Sequence, residues 1–109
     1  MRLLLDECVP ARLRKALSAH QVSTVVQEGW SGAKNGKLLA LAATKFDVSI
    51  TVDKNLPYQQ NTSALPVTVI VLDAISNELD YLLPLVPVLE IALSRHKPGS
   101  YVLLGTDSR

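Results

Sequence analysis

Five short apolar runs recur along the chain, separated by stretches of helical spacing or by turn residues. Leu3-Leu4-Leu5 is uninterrupted and stops at Asp6-Glu7, which predicts a strand over 2–5 covered on both faces. Val9, Leu13, Ala16 and Leu17 then repeat at helical spacing, with Arg12, Arg14 and Lys15 elsewhere. Pro10 suits a first helical turn, so a helix over 10–18 is predicted. A β-branched run gives a second strand at 22–26, and two glycines, a serine and a tryptophan make 27–34 a loop. Asn35 can cap a helix over 36–45 whose apolar face holds Leu38, Leu39, Leu41 and Ala42. Strands follow at 48–52 and 67–72, around a polar, Pro-bounded segment with one helical turn near 56–60. Asn77, Glu78 and Asp80 suit a short turn over 77–82. Pro84 and Pro87 both fit the first turn of a helix over 84–95, where N–H groups lack partners anyway. Pro98-Gly99 breaks that helix, and 101–104 is a last strand.

Apolar strands alternating with helices predict an α/β fold: a three-layer α/β/α sandwich around a mainly parallel sheet of about five strands. Its crossovers are expected to be right-handed. The 109 residues make a single domain over 1–109, and 48% apolar with 19% charged residues is a globular composition. A net charge of +1 gives no global field for nucleic acid, so any such affinity must come from a local patch or a bound cation. The single cysteine, Cys8, fits a reducing cytoplasm and is expected to be buried. The apolar run after Arg2 is too short for a signal peptide, and no stretch approaches the ~20 apolar residues of a membrane span. The apolar segment 82–93, interrupted by Pro84, Pro87 and Glu90, suggests a self-association surface and a homo-oligomer.

In parallel sheets ligands bind beyond the carboxyl ends of the strands. Asp6, Glu7, Glu28, Asn35, Asp53 and Asn55 all follow strands or precede helices, so they are expected to share that edge. Two carboxylates ~4 Å apart repel by ~4 kcal/mol at intermediate dielectric, so such a cluster calls for a cation or a shared proton. Hard oxygen donors without histidine or cysteine point to Mg2+ or Mn2+. The plainer alternative is that Asp6 or Glu7 favours a helix N-terminus and Asp53 closes an Asx-turn. Lys54 and Lys34 stand beside the acids, where they hold phosphate oxygens or simply balance charge. Trp30 either stacks on an unpaired base or folds over the helix. His20 and His96 are far apart and make no general base, and no P-loop, dinucleotide or nucleophile-elbow pattern occurs.

Leu4-Leu5-Asp6-Glu7, the stretch from Gly32 to Leu39, and Ile50-Thr51-Val52-Asp53-Lys54-Asn55-Leu56 resemble, in order and spacing, the PIN-like domain family. The nearest likeness is its small stand-alone branch, often paired with antitoxins. The resemblance runs from Met1 to about Asn61. It implies a compact α/β/α fold and a metal-dependent ribonuclease, with RNA as substrate and an antitoxin as partner. The family's first acid matches Asp6, and its acid after the third strand matches Asp53. Asp6 and Asp53 are then metal ligands; Glu7, or alternatively Glu28, joins them as the acid that makes up for the missing charge, Asn55 and Asn35 complete the catalytic set, and Lys54, Lys34 and Trp30 are the candidates for substrate contact. Asn35 and Asn55 stand where the family usually carries acids; asparagine still offers a carbonyl oxygen but brings no charge.

Two other readings come from different classes. One is a PIN-like module without catalysis that works through a partner protein, which the two asparagines favour. The other is a phosphoacceptor receiver domain, with Asp53 followed by Pro57 four residues on. Against the receiver, 54–66 is short and polar, Leu72-Asp73-Ala74 lacks a hydroxyl residue, and Lys97-Pro98 precedes the last strand.

Overall fold

The computed structural model describes residues 1–105. Five parallel strands form one sheet in the order β2-β1-β3-β4-β5, where β1 is Arg2–Leu5, β2 Gln21–Thr24, β3 Val48–Thr51, β4 Thr68–Asp73 and β5 Tyr101–Gly105. The inner strands are as the apolar runs predict: Leu3, Leu4, Leu5, Val48, Ile50 and Val69 to Val71 are fully buried. A strand covered on both faces needs no alternation, because both side-chain rows leave water.

Two cores lie on opposite faces. Leu3, Leu5, Val48, Ile50, Ile70 and Leu72 pack against a 3-10 helix, Ala11–Leu17, and against the C-terminal helices. Those are α3 (Leu79–Leu82), a 3-10 turn (Leu83–Leu85) and α4 (Val86–Arg95), which supply Leu82, Leu85, Leu89 and Leu93. Leu4, Val69 and Val71 pack on the other side against α1 (Asn35–Ala43) and the single turn α2 (Leu56–Gln59), through Leu38, Leu39, Ala42 and Leu56. The three-layer α/β/α arrangement is thus present, and the segment 82–93 turns Leu82, Leu85, Leu89 and Leu93 inward. Of that segment, Leu83 and Ile91 remain exposed.

Four local expectations change. The first helix is wound as 3-10 over Ala11–Leu17, with i→i+3 bonds at both ends, from Leu13 N to Pro10 O and from His20 N to Leu17 O. β2 ends at Thr24, because Gln27 Oε1 accepts the Thr24 N–H while Thr24 Oγ1 accepts the Gln27 N–H, closing a turn. Lys34, not Asn35, precedes α1; Asn35 is its first helical residue and caps nothing. Pro84 and Pro87 split the last helical region into α3, a 3-10 turn and α4, each proline sitting at the start of its own element.

The crossovers cannot all share one hand. The β1-to-β2 link runs one way across the sheet over one face, and the β2-to-β3 and β3-to-β4 links run the opposite way over the opposite face. Those three agree in hand. The β4-to-β5 link runs in the latter direction but over the first face, so its hand is reversed. Coverage explains it: α1 and α2 already fill the far side, and without α4 the side chains of Ile50, Ile70 and Leu72 would face water.

The turn into β5 depends on Gly99, whose φ is +73° and whose added Cβ would lie 2.9 Å from the Leu65 carbonyl oxygen. Gly99→Ala is expected to lose about 2 kcal/mol or more of stability, because strain and a backbone clash add. Urea unfolding followed by circular dichroism measures it; an unchanged midpoint would refute this role.

Candidate active site at the β1–β3 switch

The chain leaves β1 toward the face of the 3-10 helix and leaves β3 toward the face of α2. The crevice between those two strand ends is where open parallel sheets bind ligands. Asp6 follows β1 and Thr51 ends β3, and they meet there. Thr51 Oγ1 donates to Asp6 Oδ2 at 2.8 Å and accepts the backbone N–H of Asp53 at 3.1 Å. One hydroxyl therefore links the two aspartates, 47 positions apart in sequence. The Asp6 N–H reaches Ile50 O at 2.9 Å, which continues the β1–β3 ladder into the site.

Each aspartate is held further by its own loop. Asp6 Oδ1 accepts the Glu7 N–H at 2.9 Å, and Asp53 Oδ1 accepts the Asn55 N–H at 2.9 Å in an Asx-turn. Cys8 completes the group, its Sγ 3.5 Å from Asp6 Oδ2 and 3.4 Å from Thr51 Oγ1. Burial pushes the Cys8 thiol pKa up against the lowering effect of its hydrogen bonds to Thr51 and Val52, and the nearby Asp6 charge adds to the rise. The rise favours the thiol form, and Cys8 Sγ donates to Asp6 Oδ2.

Charge compensation is distributed unevenly. Among the described residues the ion pairs are Arg2–Asp47, His20–Glu90, Lys45–Glu28 and Lys54–Asp73. Asp6, Glu7 and Asp53 belong to none of them. Lys54, adjacent to Asp53, extends instead to Asp73 Oδ1 at 2.6 Å at the end of β4. Glu7 sits over the crevice with Oε1 accepting the N–H of Gly32, whose φ of +81° turns the loop toward it.

The other predicted residues fall around this centre. Asn55 is on the Asp53 turn, and Asn35 reaches the same loop through its Nδ2, which donates to Gln59 Oε1 at 2.9 Å. Glu28 does not join the edge. Its carboxylate turns back along β2 to Ser23 Oγ at 2.8 Å and to Lys45, in a cleft shared with Arg2 and Gln21. Two donors on one carboxylate outweigh a place among like charges, and Lys45 and then Ser23 hold its pKa below the usual range. Trp30 is half-buried, edge-on to Phe46 at 6.0 Å between ring centroids, with Lys45 Nζ 6.0 Å from its own ring centroid. With Lys34 and Lys37 it lines a separate hollow of about 470 Å³. His20 and His96 stay outside the site, held by Glu90 Oε1 and Leu93 O.

No group of three or more ligating acid, histidine or cysteine side chains occurs among the described residues. Asp6 and Asp53, with Glu7 beside them, are a two-carboxylate set of hard oxygens. Mg2+ suits such a set, since it keeps several waters and takes further oxygens from a substrate phosphate. Thr51 and Cys8 were not legible as members: nothing local marks a strand threonine or a loop cysteine as a partner across 45 and 43 positions. No family model, curated protein or solved structure matches the chain. No helix among the described residues is long and apolar enough to cross a membrane.

Two measurements test this geometry. Thr51→Val keeps the shape but strips the shared hydroxyl, and is expected to cost about 1–3 kcal/mol in urea unfolding, with Thr51→Ser restoring most of it; equal stability of all three would discount the link. Glu28 has a folded-state pKa below its ordinary value, so its contribution is complete above about pH 5 and fades as pH falls through the folded value. Glu28→Gln should therefore be less stable than wild type at neutral pH and converge with it as pH falls through the folded value. A difference that persists or grows in acid reverses the sign.

Proposed function

We propose that the protein is a PIN-like, metal-dependent ribonuclease of the toxin type, and that its divalent ion binds weakly until an RNA phosphate is present. The observation that carries this reading is the bonding of one Thr51 hydroxyl to the Asp6 carboxylate and to the Asp53 backbone N–H at the switch point, with no cation among the described residues paired to either carboxylate. The order and spacing of the motifs around Asp6, Gly32–Leu39 and Asp53 support it. Asp6 and Asp53 would hold Mg2+ or Mn2+, with Glu7 as the neighbouring acid. When bound, such an ion lowers the pKa of water and offsets charge on a phosphate.

The remaining roles belong to the chain itself. Thr51 holds the Asp6 carboxylate and the Asp53 backbone on one hydroxyl, which ties the two strand ends together before substrate arrives. Asn55 and Asn35 offer neutral carbonyl oxygens where further charge would add repulsion. Lys54, exposed beyond its pairing with Asp73, can exchange that carboxylate for a phosphate oxygen. A cytoplasmic location, an antitoxin partner and a homo-oligomer belong to the same proposal.

A second reading, a PIN-like module that binds a partner without catalysis, is favoured by the hydrogen bonds on both Asp6 oxygens and by the missing third acid. The receiver reading shares the strand order. It suffers from a single helical turn after β3 and from the Asx-turn that occupies Asp53 Oδ1.

Incubation of single-stranded RNA with the protein and millimolar Mn2+ separates these readings. The nuclease is expected to cleave, to stop in chelator, and to lose about 100-fold or more in rate in Asp6→Asn and in Asp53→Asn. An intact RNA pool together with calorimetry showing no metal uptake would leave the binding module. Labelling of Asp53 by acetyl phosphate would favour the receiver.

A further inference from the structure

We propose that the cavity beside Asp6, between the 3-10 helix and the end of β2, is a nucleotide subsite that receives one nucleoside of a single-stranded RNA. It measures about 540 Å³, larger than the hollow beside Trp30 and the cleft beside Glu28, and Asp6 and Glu7 form part of its lining. Such a volume lies within the ~300–1,000 Å³ of small-ligand sites. The inference rests on the nuclease reading and deepens it by naming what lies next to the reacting phosphate.

The lining has the three parts that a nucleotide requires. Val9, Pro10 and Val26 give an apolar slot, and Val26 is 64% exposed although it directly follows a buried valine. A hydrophobic side chain held open at the mouth of a cavity is suited to the face of a base. Gln27 and Asn77 bring amides to the same slot, each half committed. Gln27 Oε1 accepts the Thr24 N–H, which leaves its NH2 group as a donor; Asn77 Nδ2 donates to Cys8 O at 3.0 Å, which leaves its oxygen as an acceptor. One free donor and one free acceptor can read the edge of an unstacked base. Arg14 also lines the cavity, and it takes part in none of the ion pairs or side-chain hydrogen bonds among the described residues. A planar guanidinium without a carboxylate partner is matched to a phosphate.

The placement also orders the substrate. With a base in the slot, one flanking phosphate meets Arg14 and the other faces Asp6. Arg14 therefore contributes to affinity, and Gln27 with Asn77 to base preference, without touching the bond that breaks.

The test is a nuclear magnetic resonance titration of the full chain in chelator, with each of the four nucleoside monophosphates, the free nucleosides and ribose 5-phosphate. At least one monophosphate is expected to shift the amides of Cys8, Val9, Ala11 and Gln27 saturably by about 10 mM. Arg14→Gln should weaken the monophosphate about five-fold or more and leave the nucleoside within about two-fold. Val26→Glu, at a position open enough not to disturb the core, should remove both. The Asp53→Asn protein, unable to cleave, should still bind. The subsite is overturned if no monophosphate saturates, if ribose 5-phosphate binds equally well, or if Val26→Glu and Arg14→Gln both leave affinity unchanged. RNA cleavage that persists without nucleotide binding would remove the subsite and leave the nuclease standing. Nucleotide binding without cleavage would do the reverse.

Discussion

Burial on both faces of β1, β3 and β4 is the constraint from which the rest of this molecule follows. Side chains pointing either way along those strands meet a helical layer, so charged groups are displaced to the ends and the polar side chains kept inside are the small Ser49, Thr51 and Thr68. All five strands run the same direction, so their carboxyl ends form one edge. Asp6, Asp53 and Asp73 stand at that edge, while Asp47, Asp80 and Glu90 lie on other parts of the molecule. The reversed hand of the β4-to-β5 link obeys the same demand: α4 takes the face that the 3-10 helix alone could not cover.

At that edge the chain leaves some charge unbalanced while neutralising it elsewhere. Glu28 and Asp73 follow β2 and β4, and each has a lysine of its own. Asp6 and Asp53 have instead a hydroxyl, a thiol and backbone N–H groups. Dipoles of this kind steady a carboxylate without cancelling it. The result is a pair of carboxylates without an ion-pair partner among the described residues, beside a Lys54 already committed to Asp73.

Much of this could be read from the order of residues. The apolar runs marked all five strands, because a doubly covered strand needs consecutive apolar residues and few other structures tolerate them. Asp6 and Asp53 were legible for the same reason, as the first charges after such runs. The pairings were not. Thr51 with Asp6, Glu28 with Lys45 and Lys54 with Asp73 are each set by which strands lie side by side. Winding was also hidden: the four-residue spacing of Leu13 and Leu17 favours an α-helix, and nothing local marks the segment as 3-10. The hand of the last crossover depends on how much area each face still had to cover, which is a property of the assembled sheet.

The neighbour of β1 on the site's side is β3, while β2, made in between, pairs on the outside. A chain still emerging from the ribosome can pair its first two strands and shelter its first leucines, yet it holds only half of the acidic pair. The second half arrives when β3 slides in along the open flank of β1. Asp6 and Asp53 share an edge only in a chain made past β3, so β1 and β2 taken alone do not form the crevice.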